Sequence, residues 1–271
     1  MASSGAKVMT TSPPKGDGRS LAERVAAPGY ASSVFGIVAS IADASETGVV
    51  LGQLKSAVRA LGADAGVFTS FVRDDATSTS YRSMLACDPQ WGNEYARNNW
   101  FLDDPWLHHA LRSATAIRAS ELNPTSAVQF AMCEASTRFG FASAVIVPAP
   151  SPAGHSRLGM LCLGSATQGY FEADGYAQFK VLAQGLAMEL HEWWYRRVRD
   201  ELAAKVKITA DELALLRHEQ QGHSSKVIAS AMNTQPATID CRFQRLTSRL
   251  GMANRRSALR FAELYGLIPP R

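Results

Sequence analysis

A thiol hydrolase needs a cysteine nucleophile, a base and an orienting acid. In this chain Cys162, His155 and Asp174 are the residues from which one would be built. Their spacing gives no reason for them to meet, and Cys162 lies inside the apolar run Leu158–Leu163, where a small buried thiol is common. Cys87, Cys133 and Cys241 lie far apart with no C-x-x-C pair, so neither a zinc knuckle nor a secreted disulfide framework is indicated. His108 and His109 are adjacent, and successive helical side chains point about 100° apart, which argues against a shared metal. No catalytic residue, metal or cofactor is expected from these groups. A second set is more regular: Trp91 and Tyr95 stand four apart, as on one helix face, and Asp104 directly precedes Pro105. Read from the residues alone, these are two core aromatics and a helix N-cap.

The surrounding pattern supplies elements to position them. Tyr30 to Gly62 carries two helical patterns, the second with Val50, Leu54, Val58 and Leu61 at helical spacing. Ala65–Val72 is rich in β-formers, and Thr79–Leu85 pairs with it across Arg73, Asp74 and Asp75. Pro124–Phe139 reads as a helix. Gly140 then opens an apolar strand, Phe141–Val147, which Pro148 and the turn-rich stretch Ala149–His155 stop. Leu158–Leu163 is the returning strand, and Phe171–Arg199 carries one long helical pattern. Helices flanking an antiparallel sheet form an α/β/α sandwich, a shape that holds a ligand between layers.

At 271 residues and 46% hydrophobic, the chain has the length for two domains. Residues 1–28, with Pro13, Pro14, Gly16 and Gly18, read as a disordered tail, and 29–195 as the sandwich. Residues 196–206, starting in the charged run Arg196–Glu201, read as a linker, and 207–271 as a separate helical domain. The fold class expected is therefore α+β. From Val206 onward there are ten Lys/Arg against five Asp/Glu, leaving 18 against 19 elsewhere. A small basic unit on a near-neutral body is the footprint of a domain that meets a polyanion. No apolar run approaches the roughly 18 residues of a membrane span, and Met1–Ser20 has no apolar signal core, so a cytoplasmic protein without membrane partners is expected.

The C-terminal text breaks into four short helices. Thr209 and Glu212 make a capping box for the first, with Leu213, Leu215 and Leu216 on its apolar face and Gly222 at its end. Ser224 or Ser225 caps the second, which Val227, Ile228 and Ala229 pack. Pro236 suits the first turn of the third. On that helix Ile239, Phe243, Leu246 and Leu250 face inward, so Ala237, Asp240, Cys241, Gln244 and Ser248 face outward. Two short helices and a tight turn, the second presenting hydrogen-bonding residues, is how a recognition helix enters a major groove. Arg242, Arg245, Arg249, Arg255 and Arg256 flank it and suit phosphate neutralisation.

This segment resembles the DNA-binding domain of the LuxR family of quorum-sensing regulators, through Ile208, Thr209, Glu212, Leu216, Gly222, Ile228, Ala229, Thr238, Ile239, Leu250, Gly251, Asn254, Arg255, Ala258 and Gly266–Ile268. The resemblance implies double-stranded DNA as partner, with Ser225, Lys226, Thr238, Asp240, Cys241, Gln244, Arg245 and Arg249 at the interface. It also implies a homodimer, since two half-sites need two recognition helices, and an activator with RNA polymerase as a further partner. Many relatives are basic at the place of Asp240, where an acid either accepts from a cytosine amino group or repels phosphate.

The same family's acyl-homoserine lactone-binding domain carries the signature W-x3-Y-x8-D-P, matched here by Trp91, Tyr95, Asp104 and Pro105. The resemblance implies that Trp91 donates to a lactone carbonyl, that Tyr95 helps hold the acyl amide, and that Asp104 accepts from the amide N–H. An unmet polar group in an apolar pocket costs about 1–3 kcal/mol, so such a ligand needs those partners. Trp106 and Cys162 complete the candidate ligand set. Three departures stand out: Ala119 lies where relatives carry a further Trp, Ala144 replaces a strand glycine, and Trp106 is bulkier than usual. The expected function is a lactone-responsive transcriptional regulator. The alternative is an unpaired family member that acts without a lactone or answers another small molecule. A phosphorelay receiver, which shares this type of C-terminal domain, would need an acidic pair, a phospho-accepting Asp and a later Lys in an order the N-terminal half does not show.

Overall fold

The computed structural model describes residues 18–73, 79–151 and 157–270. The chain divides into two compact units, Met1–Ser70 with Tyr81–Pro150 and Leu158–His191, and Phe71–Ser80 with Ser151–Arg157 and Glu192–Arg271.

The first unit is built on a five-stranded sheet of order β2-β1-β5-β4-β3. Its strands are β1 (Ala65–Arg73), β2 (Thr79–Ala86), β3 (Ile117–Arg118), β4 (Ser143–Pro150) and β5 (Arg157–Ser165). β4 and β5 pair antiparallel from Ser143 opposite Ser165 to Pro150 opposite Leu158, and β3 adds antiparallel at Val145 and Ile146. The helices around it are α1 (Leu21–Val25), α2 (Tyr30–Ile41), α3 (Thr47–Leu61), α4 (Gln90–Arg97), α5 (Pro105–Ala110), α6 (Ala127–Thr137) and the start of α7 (Tyr176–Val206). α3 buries Val50, Leu54, Val58 and Leu61 as its spacing requires, adds Ala57, and ends on Gly62 at φ 88°. Gly164 is needed in β5, because a Cβ there would lie 2.4 Å from the Phe141 ring and 2.5 Å from the Gly140 carbonyl oxygen.

Four expectations change. Pro148 does not stop its strand: it lies within β4, opposite Met160. The pairing of the two-residue β3 along β4 ends at Ile146, so beside Pro148 β3 offers no ladder partner that would need an N–H. Second, part of the expected tail is ordered. Ser20 and Glu23 close a capping box on α1, and Leu21 is fully buried, which anchors the segment. Residues 1–17, and His155 with the turn around it, lie outside the described residues. Third, the expected linker is helix, because α7 runs unbroken to Val206 and the division between units falls inside it. Its charges sit one turn apart, Arg196 with Glu192 at 3.7 Å and Arg197 with Glu201 at 2.7 Å, a spacing that supports a continuous helix. Fourth, Phe171 lies in a separate 3₁₀ turn and α7 begins only at Tyr176.

The second unit carries α8 (Ala210–Gln220), α9 (Ser225–Ala231), α10 (Pro236–Leu250) and α11 (Arg255–Leu264). Thr209 and Glu212 form the capping box of α8, Ser224 caps α9, and Asn254 caps α11. Pro236 occupies the first turn of α10, and Gly251 closes that helix at φ 70°. Leu215, Leu216, Ile228, Ile239, Phe243, Leu246, Leu250, Ala258 and Ala262 make one apolar core. Val227, expected in the packing of α9, is instead 48% exposed, since the short helix offers only Ile228 and Ala229 to the core.

Candidate functional site

α4 places Trp91 and Tyr95 one turn apart, with ring centroids 5.8 Å from each other. Asn99, left-handed at φ 50°, and the short 3₁₀ turn Trp100–Leu102 then fold the chain toward α5. Asp103 is tied to the start of α6, accepting from Ser126 Oγ at 2.5 Å and from Gln129 Nε2 at 2.7 Å. These hydrogen bonds hold its carboxyl below the usual carboxylate range. The next residue, Asp104, is the N-cap of α5, with Oδ1 accepting from the Trp106 N–H at 2.7 Å. Its Oδ2 accepts from Tyr95 Oη at 2.6 Å. The capping reading and the site reading therefore meet in one side chain.

Trp91, Tyr95, Asp104, Trp106 and Cys162 all line one cavity of about 380 Å³ in the first unit. Val67 and Thr69 from β1, Ser83 and Leu85 from β2, and Met160 from β5 complete much of its wall. Trp91 sits in an aromatic cluster with Trp100, Phe139 and Phe141, at centroid distances of 5.6, 5.5 and 6.0 Å. Ala119 is not among the lining residues; it opens the 3₁₀ turn Ala119–Glu121. Sequence reasoning missed Thr69 and Ser83, whose hydroxyls hydrogen-bond each other at 2.9 Å. The signal was present: Val67 and Thr69, and Ser83 and Leu85, are each two apart and so share one face of their strand.

Asp104 is 1% exposed, and burial raises its pKa against the opposing hydrogen bonds from Tyr95 and the Trp106 and Leu107 N–H groups. Burial, then the charge of Asp104, raises Tyr95 as well. Burial and Asp104 push the Cys162 thiol well up, the reverse of what a nucleophilic thiolate needs. The cavity thus offers hydrogen bonds to a neutral ligand amid apolar walls. Among the described residues no group of three or more His, Cys, Asp or Glu could hold a metal ion, and no helix is long and apolar enough to cross a membrane.

On the second unit, Lys226, Asp240, Cys241, Gln244, Arg245 and Arg249 are exposed, while Ser225 and Thr238 are half-buried. Five of these carry internal partners, Cys241 and Arg245 through a hydrogen bond from the Arg245 guanidinium to Cys241 Sγ at 3.4 Å. Asp240 Oδ1 accepts from Ser225 Oγ at 2.6 Å and from the Arg255 guanidinium, which also donates to Ser225 Oγ at 2.9 Å and lies 4.2 Å over the Phe243 ring. Arg249 pairs with Glu212 at 2.5 Å. Asp240 therefore ties α9, α10 and α11 together, a use the sequence did not disclose, and Arg255 is engaged there rather than standing free for phosphate.

The bonds from Ser225 and Arg255 hold Asp240 below its ordinary pKa. A depressed carboxylate adds stability above its unfolded pKa, lost as pH falls through the folded value. Asp240→Asn is accordingly expected to lower the thermal midpoint of the helical unit slightly at pH 7, with the gap to wild type closing below about pH 4. Calorimetry of the full chain across pH would check it; an equal gap at both ends would remove the charge from the explanation.

Comparison with known proteins places this geometry. The family model described as the autoinducer binding domain matches residues 48–192. The chain belongs to that family, the proteins with an autoinducer binding domain. A search among curated proteins finds no match. A solved structure of SdiA in complex with octanoyl-rac-glycerol is similar at a TM-score of 0.69 and 16% identity, covering 89% of this chain and 97% of that one. Escherichia coli SdiA in a second structure gives 0.69 and 16%, with 88% and 99% covered. CepR2 from Burkholderia cenocepacia, an N-acylhomoserine lactone dependent LuxR family transcription factor, gives 0.53 and 15%, with 60% and 95% covered. At these identities the likeness is one of fold.

Proposed function

We propose that the chain is a cytoplasmic, ligand-responsive transcriptional regulator and not an enzyme. Its first unit takes an acyl-homoserine lactone, and its second binds double-stranded DNA as part of a homodimer, activating transcription together with RNA polymerase. The observation that carries the ligand reading is the convergence of Trp91, Tyr95 and Asp104 on one cavity. An indole donor, a phenol and a carboxylate acceptor are the partners that a neutral amide and lactone require. The DNA reading is supported by α10, which turns Cys241, Gln244 and Arg245 outward from a packed core in a basic unit, with Thr238 half-buried beside them.

A second ligand reading also has an observation behind it. Ala119 leaves the family's further Trp unreplaced at its own place, and the similar fold of SdiA was solved with octanoyl-rac-glycerol, an acyl ester without an amide. A neutral monoacylglycerol is therefore the alternative occupant. A ligand that binds only the folded state adds RT ln(1 + [L]/Kd) to stability, so a thermal midpoint series with acyl-homoserine lactones and octanoylglycerol separates the two. If neither class raises the midpoint while the protein still selects an operator from random DNA, the ligand-independent reading replaces both.

For the DNA face, Arg245→Ala is expected to reduce the slope of log K against log salt by about 1, with Arg249→Ala smaller because Glu212 already holds that guanidinium. An unchanged slope for Arg245→Ala would remove it from the phosphate contacts.

A further inference from the structure

Trp106 stands on the cavity wall at 4% exposure, and its indole Nε1 is sealed from solvent with no hydrogen-bond partner. The polar groups beside it are matched: Tyr95 donates to Asp104, Asp104 accepts from the Trp106 backbone N–H, and Thr69 bonds Ser83. An indole N–H is a donor only, so nothing but an acceptor satisfies it. Left unmet inside a protein, such a group carries its full desolvation cost. The backbone gives it little room to escape, since Pro105 and Trp106 form the first turn of α5 under the Asp104 cap. The ring is packed between Trp91, 6.5 Å away, and Phe141, 5.7 Å away. A phenylalanine would supply that apolar surface without burying an unmatched donor.

We propose that Trp106 is a ligand-binding residue whose indole N–H takes an oxygen acceptor of the molecule held beside Asp104. The proposal rests on the ligand reading above and narrows it. The occupant is a neutral acylated compound that brings two separate groups, an N–H or O–H for Asp104 and a carbonyl oxygen for Trp106. Because Nε1 has no partner without the ligand, the N–H acts in binding, while the ring packs against Trp91 and Phe141.

The test uses the full chain, N-octanoyl-homoserine lactone and octanoylglycerol as probes, and ¹⁵N-labelled tryptophan. Trp106→Phe identifies the Trp106 indole resonance by its loss, and Trp91→Phe and Trp100→Phe identify its neighbours independently should the first variant fold poorly. On adding the probe that raises the wild-type midpoint, the Trp106 indole proton is expected to move downfield. Trp106→Phe is expected to melt no lower than wild type without the probe, and to bind it about tenfold more weakly. A probe that raises the wild-type midpoint while the Trp106 resonance stays put and Trp106→Phe keeps its affinity overturns the assignment and leaves the ligand reading standing. A wild-type midpoint that neither probe moves overturns both.

Discussion

Asp104→Asn is expected to move the protein in two directions at once: unchanged or slightly raised stability alone, and a ligand affinity lower by about 10- to 100-fold. The second effect follows from losing a charge-assisted acceptor, a bond class worth about 1.5–3 kcal/mol. The first follows from burial. Asp104 is fully enclosed and its pKa is raised, so folding favours its protonated form. A carboxyl raised in this way contributes stability that is complete below its unfolded pKa, near 4, and lost as pH rises through its folded value. At pH 7 the native state bears the cost of burying the charge, and an asparagine, itself a good N-cap for α5, removes that cost. The measurement is the thermal midpoint of wild type and variant, with and without a lactone series, from pH 4 to 8. In the absence of ligand the wild-type midpoint should decline across this range while the variant stays flatter. A variant that melts lower than wild type without ligand, yet keeps the full ligand response, would reduce Asp104 to a cap.

What sequence disclosed and what it withheld divide along physical lines. Local rules were legible. A Thr209–Glu212 capping box, Pro236 in a first helical turn, and apolar residues at Ile239, Phe243, Leu246 and Leu250 each depend on a few neighbouring residues, and the structure places them as the spacing requires. The strand pair β4 and β5 was readable from its apolar runs, but Pro148 was misread because its tolerance depends on how short the neighbouring β3 is, a fact of sheet order. The charged run Arg196–Glu201 suggested a linker and is helical, Arg196 and Arg197 each pairing one turn away, with Glu192 and Glu201. The cavity was half legible. Trp91, Tyr95 and Asp104 are close in sequence, while Cys162 reaches them only because β5 lies beside β1 in the sheet. The unmatched Trp106 Nε1 and the Asp240–Arg255 contact had no sequence signal, since each depends on what packs around it.

Phe243→Ala is expected to cost about 3–5 kcal/mol, enough to unfold the small helical unit on its own. Phe243 is 1% exposed at the centre of the core shared by α8, α9, α10 and α11, and its ring also carries the Arg255 guanidinium. Truncation leaves a cavity that Ile239 and Leu246, fixed on the same rigid helix, cannot fill, and it strips the support from the Ser225–Asp240–Arg255 contact. The tryptophans provide the means to see where the damage stops. Trp91, Trp100 and Trp106 lie in the first unit and Trp193 and Trp194 in the second, so with Trp193 and Trp194 replaced by phenylalanine the remaining emission follows the first unit alone. Circular dichroism at 222 nm, by contrast, includes the four C-terminal helices. In Phe243→Ala the dichroism should lose part of its amplitude at low temperature, DNA binding should vanish, and the tryptophan transition should keep its midpoint. Emission and dichroism shifting together by the same amount would mean that the two units melt as one cooperative body, and the expectation that the α8–α11 core is locally complete would have to be given up.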